Sequence, residues 1–418
     1  MLEPTNEEQA RGGLSVDQLP IVGLFLLLLL NWVGADYYVR HTTFTEATPF
    51  VPVWSAYSRD GAAHLVPWAL GGLAIALVFP LSGRMPLNQL TLRVREPVAR
   101  LFPLWVSVAI AGIAVNLAAK GSYLWWAPEY LSWAMPQSVA SLANVLLPVT
   151  LLASGVVSTR RPVFGTLLMV MTGTIMFGSA TRVFAGTLAL FVLGRFLGGA
   201  RIGALSWLGA AVFGLLALPI PLFSRGLAAH GILPYSAALT EMISQSNYLT
   251  SSLLAAAENT GFTIPLLLYT AKVPGITVSD MMISLNPMPG DAAGWDRIMG
   301  SMRVHEYIPY SMLGEFASFG PPALLLCTFL WGLVIRIALN SAARTVPLLL
   351  LPFLVGQLGL SLLTMVQITQ YNTRAVARVL SIIVLLALLE RVIRPACRPE
   401  FWRVPGGWRT LLSREGSP

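Results

Sequence analysis

The sequence predicts an all-α, polytopic membrane protein of about ten transmembrane helices, with a large helical extracytoplasmic loop between the seventh and the eighth. Three observations carry this. Of 418 residues, 55% are hydrophobic and only 11% charged, whereas soluble domains carry about 25% charged residues. Apolar runs of about 20 residues, the length that crosses hydrocarbon, recur along the chain. Basic residues fall into every second connecting segment, the asymmetry that membrane insertion imposes.

In chain order the apolar runs lie at 20–38, 65–82, 101–119, 138–157, 163–179, 182–199, 202–222, 320–339, 346–366 and 373–393. The first is approached by Glu3, Glu7, Glu8 and Asp17, and no small-residue cleavage site follows Leu24 to Leu30. It therefore reads as a retained anchor rather than a removable signal. The resulting plan is a cytoplasmic N-terminus over 1–19, helices one to seven over 20–222, the extracytoplasmic loop over 223–319, helices eight to ten over 320–393, and a basic tail over 394–418. Gly71, Gly72, Gly198, Gly199, Gly209 and Gly214 fall inside or beside spans, where small residues let helix backbones approach.

Orientation follows from the short loops. Arg84, Arg93, Arg95 and Arg100, then Arg160 and Arg161, then Arg195 and Arg201, then Arg336 and Arg344, all fall on one side, together with Arg11 and the arginines of the tail. That face holds about 17 of the 27 basic residues, which makes it cytoplasmic and places both termini there. The net charge of +8 is thereby explained without nucleic acid as a partner. The tail, with Phe401, Trp402 and Trp408 among its arginines, reads as a segment lying on anionic lipid. Cys327 and Cys397 form neither a disulfide framework nor a thiolate site, and no histidine or carboxylate spacing suits a metal; no cofactor is expected.

The same orientation turns His41, His64, His230 and His305 outward. The first three read as ordinary loop histidines. The outer segment 120–137 carries Tyr123, Trp125, Trp126, Tyr130 and Trp133, a spacing that predicts an interfacial helix. The loop 223–319 is roughly 97 residues long, far above the usual 2–8 between packed helices. Within it, 235–257 is helical and amphipathic in pattern, 263–270 is apolar, and Pro287-Met-Pro-Gly-Asp291 is a turn signal. These features predict a small helical cap lying on the membrane.

Chemistry concentrates at the outer ends of spans. Arg182, Arg303, Arg374 and Arg378 sit at or inside those ends, where charge is costly enough to imply a task. Arg374 and Arg378 are four apart and share a helix face. A guanidinium pairs bidentately with phosphate and sheds water more readily than an ammonium, so the matching counter-ion is a diphosphate at the membrane surface. Arg182 opens the sixth span, where the positive helix end again favours an anion. His305, Glu306 and Glu315 lie in the same stretch as Arg303 and are candidates to take a proton from a hydroxyl. Alternatively, Glu306 or Glu315 pairs with Arg303 or caps the eighth span.

Four short motifs, in this order, resemble the bacterial oligosaccharide repeat-unit polymerases, the Wzy-type O-antigen and capsule polymerases. They are Gly178-Ser-Ala-Thr-Arg182 before a mid-chain span, Asn286-Pro-Met-Pro-Gly290 in the large loop, Leu313-Gly-Glu-Phe-Ala-Ser-Phe-Gly320 leading into a span that ends at Gly332, and the arginines of the last span. The resemblance covers roughly residues 165–393; the first five spans carry none of it. It implies a metal-independent glycosyltransferase of the bacterial cytoplasmic (inner) membrane that uses a polyprenyl-diphosphate-linked oligosaccharide as donor. The acceptor would be a second lipid-linked repeat unit on the outer face, with membrane lipid and a chain-length regulator as further partners. By position, Arg182, Arg303, Arg374 and Arg378 would face the diphosphates, and Glu315 would be the acid of the span-eight motif. The role of His305 and Glu306 as proton acceptors comes from this sequence and not from the family. Two other readings remain open: a glycan ligase with the same donor, and a lipid-linked glycan flippase.

Overall fold

The computed structural model describes residues 15–45, 50–82, 98–99, 101–130, 132–225, 227–244, 248–286, 302–305 and 308–345, with isolated positions at 288, 294, 296 and 300 and within 377–388. Long helices dominate. Helix α1 (Leu19–His41) has Pro20 in its first turn, where a missing N–H costs nothing, and Arg40 and His41 in its last turn, where cations suit the helix dipole. After a short α2 (Val51–Trp54), Ser58 caps α3 (Arg59–Val78) by accepting the Gly61 N–H at 3.1 Å. Helix α4 (Phe102–Lys120) and α6 (Pro162–Gly178) likewise start with proline in the first turn, while α5 (Gln137–Ser158) starts directly after Pro136. A 3-10 turn (Arg182–Gly186) leads into α7 (Thr187–Leu197), followed by α8 (Ala204–Ala217) and α9 (Pro219–Arg225).

Among the described residues six helices are long and apolar enough to cross a membrane: Leu19–His41, Arg59–Val78, Phe102–Leu124, Ser138–Ser158, Ala204–Pro221 and Pro321–Ser341. Pro162–Gly178 and Val183–Leu197 are shorter and equally apolar in character. The chain is an all-α membrane protein, and these eight helices follow the order of the first eight expected spans. The expected span at 346–366, most of that at 373–393, and Cys397 lie outside the described residues.

The loop segment contains α10 (Ile232–Ser244), α11 (Tyr248–Gly261), α12 (Thr263–Ala271) and α13 (Val278–Leu285), a two-stranded hairpin of β1 (Arg303–His305) and β2 (Ile308–Pro309), and α14 (Met312–Ala317) before α15 (Pro321–Thr345). Part of this segment is built into the helical core. Helix α11 packs backbone to backbone on α1, because any Cβ on Gly261 would strike the Ala35 backbone. Ile264, Leu266 and Leu267 of α12 are completely buried, and Phe262 stacks edge-on against Trp54 at 5.8 Å. An unbroken apolar run is stable only where every face is covered, so it goes into the core. Among the described residues of 120–137 the expected interfacial helix does not form: Gly121–Leu124 makes a 3-10 turn, and Pro128 and Pro136 interrupt further helix.

Among the described residues two apolar clusters form the bundle. One unites α4, α5, α6 and α7. There Gly155 and Gly194 let α5 and α7 touch through their backbones, Gly112 admits Thr150, and Gly165 lies on Ser158. Of the glycines expected to make close contacts, Gly72, Gly198 and Gly214 do; Gly71 has only an ordinary contact with Leu325, Gly199 turns the chain at φ +97°, and Gly209 faces open space.

The other cluster unites α1, α3, α12, α14 and α15. A side chain on Gly72 would collide with Thr328 and the Leu325 carbonyl, and one on Gly332 would meet Ala76 at 2.8 Å. Arg336 then reaches the Ala76 and Phe79 carbonyls. Contacts advance together along both helices, so α3 and α15 are parallel neighbours. Arg336, expected at a loop edge, is fully buried inside α15. Its Nε donates to Asp17 Oδ2 at 2.8 Å, and Asp17 is also fully buried. Beside them the Gln18 amide donates to the Leu77 carbonyl at 3.2 Å.

Removing one partner of a buried pair strands the other charge, which typically costs about 3–5 kcal/mol. Arg336→Met and Asp17→Asn should therefore each lower the thermal unfolding midpoint in detergent substantially. Replacing both with leucine should recover most of that loss. Equal midpoints for all four proteins would show that the pair does not hold these helices.

Candidate functional site

The span-eight motif has a local logic. The Ser311 hydroxyl caps α14 by accepting the Gly314 N–H at 3.3 Å, while the Ser311 N–H donates to Thr270 Oγ1 of α12 at 3.1 Å. Gly314 is required by proximity: a Cβ there would lie 2.7 Å from the Leu267 carbonyl. Gly320 turns the chain from α14 into α15 at φ +101°, a conformation that other residues resist. Glu315, in the first turn of α14, is fully buried. Its position lets it orient the α14–α15 junction but gives a large substrate no access to it.

Immediately before, Arg303 pairs with Pro309 and His305 with Ile308 across the hairpin, with an irregularity between them. The Tyr310 N–H donates to the Met302 carbonyl at 3.2 Å, and Arg303 is exposed. The backbone of His305 is thus fixed; its side chain and all of Glu306 lie outside the described residues. Arg182 begins the 3-10 turn capped by Thr181, again with only its backbone described, and Arg374 lies outside the described residues. Arg378 is exposed, and its guanidinium donates to the Met288 carbonyl at 3.4 Å. That contact joins an arginine of the last expected span to the Asn286–Gly290 motif, 90 residues earlier.

A second constellation was not anticipated. Where α1 ends and α3 begins, a cleft of about 550 Å³ opens, lined by the apolar Leu29, Trp32, Val33 and Ala63 and by the polar Asp36, Tyr37, Arg40, His41, Tyr57 and Arg59. Asp36 holds both arginines: Arg59 Nε donates to Oδ1 at 2.7 Å, and Arg40 pairs with Oδ2. The Tyr57 hydroxyl donates to the same Oδ1 at 3.4 Å. His41 stacks on Tyr37 with ring centres 4.2 Å apart, its Nδ1 2.8 Å from the Tyr37 carbonyl oxygen. The parallel register of α3 and α15 puts Arg59 level with the α14–α15 junction. The cleft and the span-eight motif therefore share one end of the cluster, opposite to Arg336. The signal was present in the sequence: Asp36 and Arg40 are four apart at a span end, the same argument that singled out Arg374 and Arg378.

His230 is more than a loop histidine. It is buried, its Nδ1 lies 2.8 Å from the Tyr235 hydroxyl, and its backbone exchanges hydrogen bonds with Ala127 at 2.7 and 2.8 Å. It thereby fastens the segment after α4 to the start of α10.

Comparison with family models, with curated proteins and with solved structures gives no match to this chain.

Burial, reinforced by the Asp36 carboxylate, pushes the Tyr57 hydroxyl up to about 12 from an ordinary 10.0. A group whose pKa is raised on folding contributes stability that is complete below its unfolded value and lost as pH rises through the folded one. The contribution of Tyr57 should thus persist to about pH 10 and vanish by about pH 12. Subtracting the ultraviolet phenolate titration of Tyr57→Phe from that of the unchanged protein should reveal one late-ionising tyrosine. A difference curve centred on the ordinary tyrosine value would contradict the burial of this hydroxyl beside Asp36.

Proposed function

We propose that the chain is an integral-membrane glycosyltransferase that polymerises polyprenyl-diphosphate-linked oligosaccharide repeat units on the outer face of a bacterial cytoplasmic membrane. The observation that carries this reading is the contact of Arg378 with the Met288 carbonyl. It brings together two of the motifs on which the resemblance to Wzy-type polymerases rests. The Leu313–Gly320 motif, buried and glycine-dependent in its packing, touches α13, which ends just before Asn286, and supports the same reading. In this reading ten helices cross the membrane, both termini are cytoplasmic, and the segment 223–319 faces outward. Parallel α3 and α15 require an odd number of crossings between them, which α4 to α8 supply in the proposed topology.

In the proposed reaction the bond between the anomeric carbon of the donor glycan and its diphosphate oxygen breaks, and the electron pair leaves with the lipid diphosphate. The acceptor hydroxyl oxygen forms the new bond to that carbon and yields its proton to Glu306 or His305. Arg182, Arg303, Arg374 and Arg378 offset the charge that grows on the leaving diphosphate, a preorganised electrostatic contribution. Glu315, sealed within α14, positions the junction and does not touch the reacting atoms.

Removing one such charge donor typically costs about 100- to 1,000-fold in rate. Arg374→Ala and Arg378→Ala, tested in proteoliposomes with lipid-linked donor and acceptor on the outer side, should lose polymer by that factor at unchanged protein level. The unchanged protein should yield a ladder of glycan lengths. A single addition per acceptor would identify a ligase instead. Unaltered glycans that change leaflet would identify a flippase. A normal ladder from both arginine variants would remove the diphosphate role of the last span.

A further inference from the structure

The cleft at the outer end of α1 and α3 is independent of the residues that carry the proposed transfer reaction, and its chemistry is graded along one direction. Leu29, Val33, Asp36 and Arg40 form one stripe on α1, and their positions span about 16 Å along the helix axis. The lower part is apolar and open: Leu29 and Val33 are 39% and 62% exposed, and both belong to a helix long and apolar enough to cross a membrane. The upper part is cationic. Arg40 and Arg59 are 54% and 59% exposed, while the Asp36 that holds both is 25% exposed.

This geometry separates two tasks that one arginine cannot perform alone. Asp36 uses Nε of Arg59 and one edge of Arg40, and in doing so fixes both long side chains without cancelling their combined charge. Arg59 keeps its two terminal amino groups for another acceptor. Two guanidinium groups flanking one carboxylate leave a net positive rim, with Tyr57 kept protonated beside it. A rim of this kind selects an anion with several oxygens. The apolar wall beneath it, one to two helical turns deeper, selects a hydrocarbon chain attached to that anion. Water-soluble phosphate would use the rim and leave the wall uncovered.

We propose that this cleft binds an anionic phospholipid, its phosphate seated between Arg40 and Arg59 with its chain descending past Val33 and Leu29. Trp32, half-buried in the cleft, provides the flat apolar surface at the level where chain and head group join. The site stands whether or not the chain transfers sugars.

The test is lipid retention by the full-length protein in detergent, read by native mass spectrometry with added phosphatidylglycerol, phosphatidylcholine or inorganic phosphate. Phosphatidylglycerol should be retained about tenfold better than phosphatidylcholine, whose choline ammonium offsets the phosphate charge that the positive rim attracts. Arg40→Gln with Arg59→Gln should abolish that preference. Arg160→Gln, which removes an exposed charge elsewhere that donates to the Ala99 carbonyl, should leave it intact. Val33→Trp fills the apolar wall without touching the rim, and should lower phosphatidylglycerol retention about tenfold, the loss of about two buried methylenes of lipid chain. Equal retention of both lipids, an intact preference in the double glutamine variant, or an equal loss in Arg160→Gln would overturn the proposal. So would displacement of the lipid by inorganic phosphate together with full lipid retention in Val33→Trp, which would mark a soluble-anion site.

Discussion

The cluster that unites α1, α3, α12, α14 and α15 turns on one fully buried ion pair. Asp17 stands just before α1, and Arg336 stands four turns into α15; the 2.8 Å bond between them closes the chain across more than three hundred residues. Because a lone charge in this position would be costly, the start of α1, the end of α3 and the second half of α15 must assemble together. Arg336 also takes the carbonyls of Ala76 and Phe79, acceptors that the last turn of α3 leaves without an intrahelical partner. One side chain thus neutralises a carboxylate and completes a helix end.

Depth in the rest of the cluster follows from that anchor. With Arg336 fixed on the end of α3, Gly72 must pass the facing backbone and Gly332 the Ala76 side chain, and glycine provides that room. The parallel course of α3 and α15 sets the opposite ends level, which brings the α14–α15 junction beside the start of α3. Helices α11 and α12, although they come from the long connecting segment, fill the space between α1 and α14. Gly34 with Gly261, and Gly314 with Leu267, mark where backbones come close enough to exclude any side chain. The candidate site therefore rests on tightly packed backbone, with its charged groups at the margin.

Parts of this were legible in residue order. Apolar run length located α1, α4, α5 and α6 within three residues at each end, and α3 and α15 within six, because covering a backbone in hydrocarbon forces helix regardless of neighbours. The arginines at span ends drew notice for the same reason. The cleft at Asp36 escaped because its members, Asp36, Arg40, Tyr57 and Arg59, straddle a connection and meet only when two helices pair. Glu315 and His230 were read by residue type, yet burial decides what each can do, and burial is a property of packing.

By itself the sequence determined that this is a helical membrane protein and where most of its apolar helices lie, since hydrophobic length is a local quantity. It also marked the positions at which charge meets hydrocarbon. Only the tertiary structure decided that Arg336 is an internal anchor rather than a loop charge, that 263–270 is core rather than cap, and that Asp36 binds two arginines into one rim. Each of those outcomes depends on contacts between residues far apart in the chain, and a one-dimensional pattern of hydropathy and charge holds no term for such contacts.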